Sequence, residues 1–183
     1  MVLPIIGGLI VLILLWVASA YNGLVKSNNL VKEAWSGIDV QLKRRYSLIP
    51  NLLECVKGYM GHEQKLLTDI TELRGKSMKA QGVEEKAKAE GDLSRSLVNL
   101  FAVAENYPNL KANESFNNLQ QELAKTEDEL QLARRYYNGT VRNFNTSIES
   151  FPTNMIANNF KFTKAAFFEI ENPEERETPK VKF

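Results

Sequence analysis

The sequence predicts an all-α protein: an N-terminal transmembrane helix followed by an antiparallel bundle of three to four long helices. Three observations lead there. No charged side chain occurs before Lys26. After that point apolar residues recur alternately three and four positions apart, the spacing of one helix face. Alternation of apolar and polar residues is confined to Phe160-Lys161-Phe162, so a sheet has nothing to be built from.

The charge-free stretch from Val2 to Tyr21, VLPIIGGLIVLILLWVASAY, is about 20 residues long, and as a helix it spans roughly 30 Å, the hydrocarbon thickness of a bilayer. Pro4, Gly7 and Gly8 lie near its start, and Trp16 and Tyr21 fall toward its downstream end, where amphipathic rings favour the membrane interface. Ala18-Ser19-Ala20 also has the form of a signal-peptide cleavage site. The absence of a preceding Lys or Arg and the length of the run favour a retained anchor over a cleaved leader. Lys26, Lys32, Lys43, Arg44 and Arg45 follow the segment, so the positive-inside rule places the N-terminus outside and the bulk in the cytoplasm, at the cell (inner) membrane.

Beyond the anchor, Val31, Trp35, Ile38, Leu42, Arg45, Ile49, Leu52, Val56, Tyr59, Glu63, Leu66, Ile70 and Leu73 form one seam, interrupted chemically only by Arg45 and Glu63. One long amphipathic rod fits this pattern. Pro50 either kinks it or opens a second helix after a tight turn at Leu48-Ile49. The polar stretch containing Gly75, Gly82 and Gly91 reads as a connection merging into the next helix. That helix carries Leu93, Leu97, Leu100, Phe101 and Ala104 and ends before Tyr107-Pro108.

A third periodic run extends from Phe116 through Leu123, Leu130, Tyr137 and Phe144 to Phe151, capped at its start by Asn113 or Ser115 and ended by Pro152. The segment Phe160 to Ile170 is apolar enough to dock on the bundle, whereas ENPEERETPKVKF from Glu171 is too polar to offset its chain entropy. The expected organisation is an anchor over 1–22, a helical bundle over 23–152 and a partly disordered tail over 153–183.

Composition limits the chemistry. With 23 Lys and Arg against 22 Asp and Glu, the net charge of +1 gives no electrostatic case for nucleic acid. The single cysteine, Cys55, forms no internal disulfide and has no histidine at helical spacing to act as its base. His62 is the only histidine, so the two-histidine metal motif and the paired Glu-x-x-His ligands of a di-iron bundle are both missing. The three linker glycines lack phosphate-loop spacing and no strand precedes them. No catalytic, cofactor-binding or metal-binding residue is therefore expected, and no cofactor. Sequons at Asn113, Asn138 and Asn145 carry no meaning in a cytoplasmic body.

More informative are polar residues on or beside the apolar faces: Arg45, Glu127, Arg134 and Asn138. Either they form interhelical pairs that set register, or their heads reach the bundle rim while their stems pack.

The blocks YNGLVKSNNLVKEAWSGIDVQLKRRYSLIPNLLECVKGYMGHE (Tyr21 to Glu63) and ENYPNLKANESFNNLQQELAKTEDELQLARRYYNGTVRNFNTSIESFP (Glu105 to Pro152) resemble the LemA family of bacterial membrane proteins. The combination of Arg44-Arg45, Leu48-Ile49-Pro50-Asn51, Tyr107-Pro108-Asn109-Leu110 and Tyr137-Asn138 carries the likeness, and the tail ends PKVKF. The resemblance implies a short exterior N-terminus, one membrane helix and a cytoplasmic helical bundle, without an established activity; magnetosome-associated relatives imply membrane organisation by analogy. The expected function is a non-enzymatic, membrane-anchored scaffold with coiled-coil character. Its expected partners are the lipid bilayer, further copies of itself as a homo-oligomer, and other membrane proteins. The alternative is a regulatory adaptor of a membrane protease or sensor.

Overall fold

The computed structural model describes residues 2–169, so the expected disorder from Glu171 onward lies outside the described residues. Among the described residues every regular element is helical: α1 (Val2–Lys57), α2 (Gln64–Lys79), α3 (Val83–Ala104), α4 (Pro108–Lys111), α5 (Glu114–Glu149) and α6 (Thr153–Asn159). The chain forms two compact units, one from the described residues of Met1–Asp39 and Leu132–Phe167, the other built on Val40–Gln131.

In the first unit the apolar start of α1 has no protein cover: Ile5, Leu9, Leu12 and Leu14 are all exposed. This is the one described helix long and apolar enough to cross a membrane. Cover begins at Val17 and Ala20, which are half-buried, and is complete at Leu24. From there Leu24, Val31, Ala34 and Ile38 form a buried stripe on α1, while Tyr137, Val141, Phe144 and Ile148 do the same on α5. The Trp35 ring meets Tyr137 edge-on at 5.5 Å.

α6 adds Ile156 and Ala157 to the buried set. After a left-handed residue at Lys161 the chain runs back along α5 without helical structure. Asn145 fixes it there, accepting from the Ala165 N–H at 2.9 Å and donating to the Ala165 carbonyl at 3.0 Å. Tyr137 Oη donates to the Ala166 carbonyl at 2.9 Å. The segment expected to dock therefore does so, using a side-chain amide to satisfy a backbone that no ladder serves.

Burial raises the Tyr137 phenol above its ordinary value of about 10. Below that value the phenol is neutral whether the chain is folded or unfolded. As pH climbs, the unfolded chain ionises first, so the stability tied to the neutral phenol is lost through the folded pKa. Tyr137→Phe should cost about 1 kcal/mol near neutrality, because the Ala166 carbonyl loses its donor. It should also flatten the fall in stability above pH about 10. Urea titrations from neutral to alkaline pH check both; a variant with the same alkaline slope as the parent would contradict the expectation.

In the second unit α1 buries Leu42, Arg45, Tyr46, Ile49, Leu52, Leu53 and Val56, and runs through Pro50 without a break. The reason lies in the backbone. A proline has no N–H, so the Tyr46 carbonyl four residues earlier loses its helical partner. Arg74 of α2 replaces it, its Nε donating to that carbonyl at 2.8 Å. Arg74→Met should therefore cost about 1–3 kcal/mol, the usual penalty for a stranded carbonyl. In a Pro50→Ala background, where a backbone N–H is restored, the same substitution should cost far less. Thermal unfolding of the four chains measures this, and equal costs in both backgrounds would refute it.

The expected rod does not reach Leu73. α1 ends at Lys57, Met60 N closes back on the Val56 carbonyl at 2.9 Å, and α2 starts at Gln64. Gly58 and Gly61, poor helix formers three residues apart, sit in the break. Met60 and Leu67 are buried in place of Tyr59 and Leu66, so the seam read across the break was a coincidence of spacing.

The expected polar connection is likewise shorter than it read. Gly75 lies inside α2 and Gly91 inside α3, leaving only Ala80, Gln81 and Gly82 between them. Gly82, the N-cap of α3, is left-handed at φ 76°, and Glu85 reaches back past it to accept from the Gln81 N–H at 3.0 Å. Buried Lys86 donates to the Ser77 carbonyl at 2.9 Å, placing an ammonium on one of the last carbonyls of α2, where the helix dipole favours it. α5 is capped by Asn113, whose Oδ1 accepts from the Phe116 N–H at 3.0 Å.

Candidate functional site

The polar residues on the apolar faces are the place to look for a site, and Arg45 leads to one. Its position on the buried stripe of α1 sends a guanidinium into the second unit, where the residue is only 5% exposed. A charge so placed needs counterions. Glu90 of α3, 0% exposed, is the first, with Oε2 3.1 Å from Arg45 Nη1. Glu127 of α5 is the second, at 3.3 Å from the same nitrogen. Arg45 Nη2 donates to Ser94 Oγ at 2.8 Å. Tyr46, the next residue on α1, donates its hydroxyl to Glu90 Oε1, so both oxygens of the buried carboxylate are occupied.

One cation thus holds carboxylates from two helices, and a phenol completes the set. Arg44 turns to the other side and bonds Glu122 at 2.9 Å and Glu129 at 3.2 Å, in a more exposed setting where such pairs are worth about 0–1 kcal/mol. Beside the cluster an open cavity of about 310 Å³ is lined by Arg45, Ser94, Leu97, Phe101, Leu123 and Glu127 among others.

Of the four residues singled out by sequence, the structure brings Arg45 and Glu127 together. Arg134 and Asn138 sit half-buried in the first unit, each with interactions of its own. Glu90 was missed. It lies in the stretch read as a connection, flanked by Ala87, Ala89 and Gly91, all buried, whose small side chains let the carboxylate approach α1. The signal that points to it is the demand of a buried arginine for a full counterion.

His62 is exposed in the turn between α1 and α2, and half-buried Cys55 places Sγ 3.7 Å from Asn113 Oδ1. Among the described residues no group of three or more His, Cys, Asp or Glu side chains is arranged to hold a metal ion.

The family model for LemA matches residues 34–183, a range that contains Arg44, Arg45, Tyr46, Pro50, Arg74, Glu90 and Glu127. The chain belongs to the LemA family. Protein LemA of Metamycoplasma hominis is 30% identical over 158 residues, covering 84% of this chain and 70% of the relative. Magnetosome protein MamQ 2 of Paramagnetospirillum magneticum is 22% identical over 175 residues, and magnetosome protein MamQ of Magnetospirillum gryphiswaldense 20% over 174. Each of these two alignments covers 81% of this chain and 64% of the relative, so the chain spans a little under two thirds of the length of the magnetosome proteins it matches. In this LemA chain the matched range holds the whole ion-pair cluster, while the uncovered apolar part of α1 precedes it.

Proposed function

We propose that this LemA protein is a membrane-anchored, non-enzymatic helical scaffold, standing at the cytoplasmic face of the cell membrane and gathering copies of itself or envelope partners. The observation that carries the reading is the contrast along α1. Its first turns expose large apolar side chains over a length that suits a bilayer, and its later turns are buried in a helical body. Within the second unit Arg44 meets Glu122 and Glu129 while Tyr59 meets Asn113, an order of contacts that supports an antiparallel arrangement of α1 and α5.

In this reading Arg45, Glu90 and Glu127 set the register of three helices, since a buried charge fits only where its partners meet it. Arg134 and Asn138 are assigned the same role in the first unit. Likeness to two magnetosome proteins supports this organising role by analogy. Crosslinking in intact membranes followed by size analysis tests the scaffold. Higher-order species are expected, and a strictly monomeric chain with no crosslinked partner would sink it.

A second reading, a regulatory adaptor of a membrane protease or sensor, draws on the open groove in the second unit between the end of α1 and α2, lined by Leu53, Met60, Gln64, Leu67 and Thr71. Substitutions there that abolish control of one membrane enzyme while leaving crosslinked oligomers unchanged would favour it over the scaffold.

A further inference from the structure

The first unit carries an apolar patch that its fold leaves uncovered. Phe151 is 80% exposed, Met155 63% and Phe160 51%, all within ten residues that bracket α6, although the same helix buries Ile156 and Ala157. Three large apolar side chains so close together make a contact surface of some kind, because water-facing patches of this sort are a liability on a soluble body. Their position identifies what covers them. Phe160 packs its ring 4.7 Å from that of Tyr21, and Phe162 stands 6.0 Å from the same ring. Tyr21 stands at the downstream end of the apolar stretch that begins α1. From Trp16 to Tyr21 the helix rises roughly 7 Å, about one headgroup layer. The protein's own cover on α1 begins within that interval, at Val17 and Ala20.

We infer that α6 and its flanks form a second, interfacial membrane contact: Phe151, Met155 and Phe160 lie in the boundary between headgroups and acyl chains of the bilayer that α1 crosses. The inference rests on the anchor reading above, which sets the level of Tyr21. The chemistry of the segment fits a lipid surface. It presents Met155 from a short helix flanked by Phe151 and Phe160, and exposed Lys161 follows Phe160 directly, able to lay its stem along the boundary and its ammonium group among phosphates, while the neighbouring Lys164 pairs with Glu149. α6 is roughly 10 Å long, so the whole patch stays within reach of the layer that holds Phe160.

A depth measurement tests this on the full chain. In a Cys55→Ser background, Met155→Cys would carry an environment-sensitive fluorophore, and the chain would be reconstituted into phosphatidylcholine and phosphatidylglycerol vesicles. The control is the same label at Leu132→Cys, an exposed apolar position on α5 roughly 26 Å along the helix from its end at Glu149. The label at 155 should emit to the blue of the control and lose most of its intensity to lipids spin-labelled near the top of the acyl chain. The control should keep its water-like emission.

Flotation of the same samples separates the two claims. A chain that floats with the vesicles while its 155 label stays water-like and unquenched overturns this inference and leaves the anchor standing. A chain that does not float overturns the anchor and the inference together. A blue shift without quenching by lipid would mean that a second copy or another protein covers the patch, which also overturns it.

Discussion

Glu90→Leu should lower the unfolding free energy by about 3–5 kcal/mol, the cost of breaking a buried ion pair by removing one partner. The substitution strands Arg45 in a site that is almost closed to water and takes the acceptor from Tyr46. Glu127 stays at 3.3 Å, but it is half-buried, so it does not replace the fully buried carboxylate that Glu90 supplied. The double variant Arg45→Met, Glu90→Leu removes the stranded charge as well and should be more stable than Glu90→Leu alone, because well-packed apolar residues often match a buried pair. Urea unfolding followed by circular dichroism on the purified chain reads both differences. If Glu90→Leu fell within about 0.5 kcal/mol of the parent, the range of an ordinary surface substitution, the pair would have no structural weight.

The second large effect is expected at the membrane. Lysines at Leu12 and Leu14 together should add about 5–7 kcal/mol to the cost of placing this segment in a bilayer, on the scale of about 2.5–3.5 for each charge at the centre of a span. The chain should then leave the membrane fraction after an alkaline carbonate wash. Both positions are exposed, so the helical body should keep its circular dichroism spectrum and its melting temperature. A chain that stays in the washed pellet would show that something other than the start of α1 holds it there. Mass spectrometry of the wild-type chain from the same fraction adds a check, since a product trimmed just past Ala20 would contradict a retained anchor.

The places where sequence reading succeeded and failed share a cause. Apolar periodicity located α3, α5 and both halves of α1, because each buries a stripe of large side chains and such stripes recur at the helical period. It failed at Gly58 and Gly61, where the spacing of apolar residues carries on by chance while the backbone does not. It failed again at residues 80–92, where burial falls on Ala, Gly, Lys and Glu, residues whose types announce a surface. Pro50 is the instructive case. A proline inside a helix can be read as a kink or a start, and the choice rests on a side chain 24 positions downstream, the Arg74 that serves the Tyr46 carbonyl. A one-dimensional pattern has no means of showing such a partner. Likewise Arg45 was legible as an anomaly, but the identity of its main counterion was not.

The pairing of Tyr21 with Phe160 and Phe162 has a consequence for biosynthesis. Tyr21 leaves the ribosome long before either phenylalanine exists, since domains emerge from their amino end at about 5–20 residues per second. On the anchor reading proposed above, the leading segment therefore enters the bilayer bare, and the aromatic clasp can fasten only after Phe160 and Phe162 have been made. Nascent chains halted before Phe160 would carry an unfastened first segment, a state that ends once both phenylalanines can reach Tyr21.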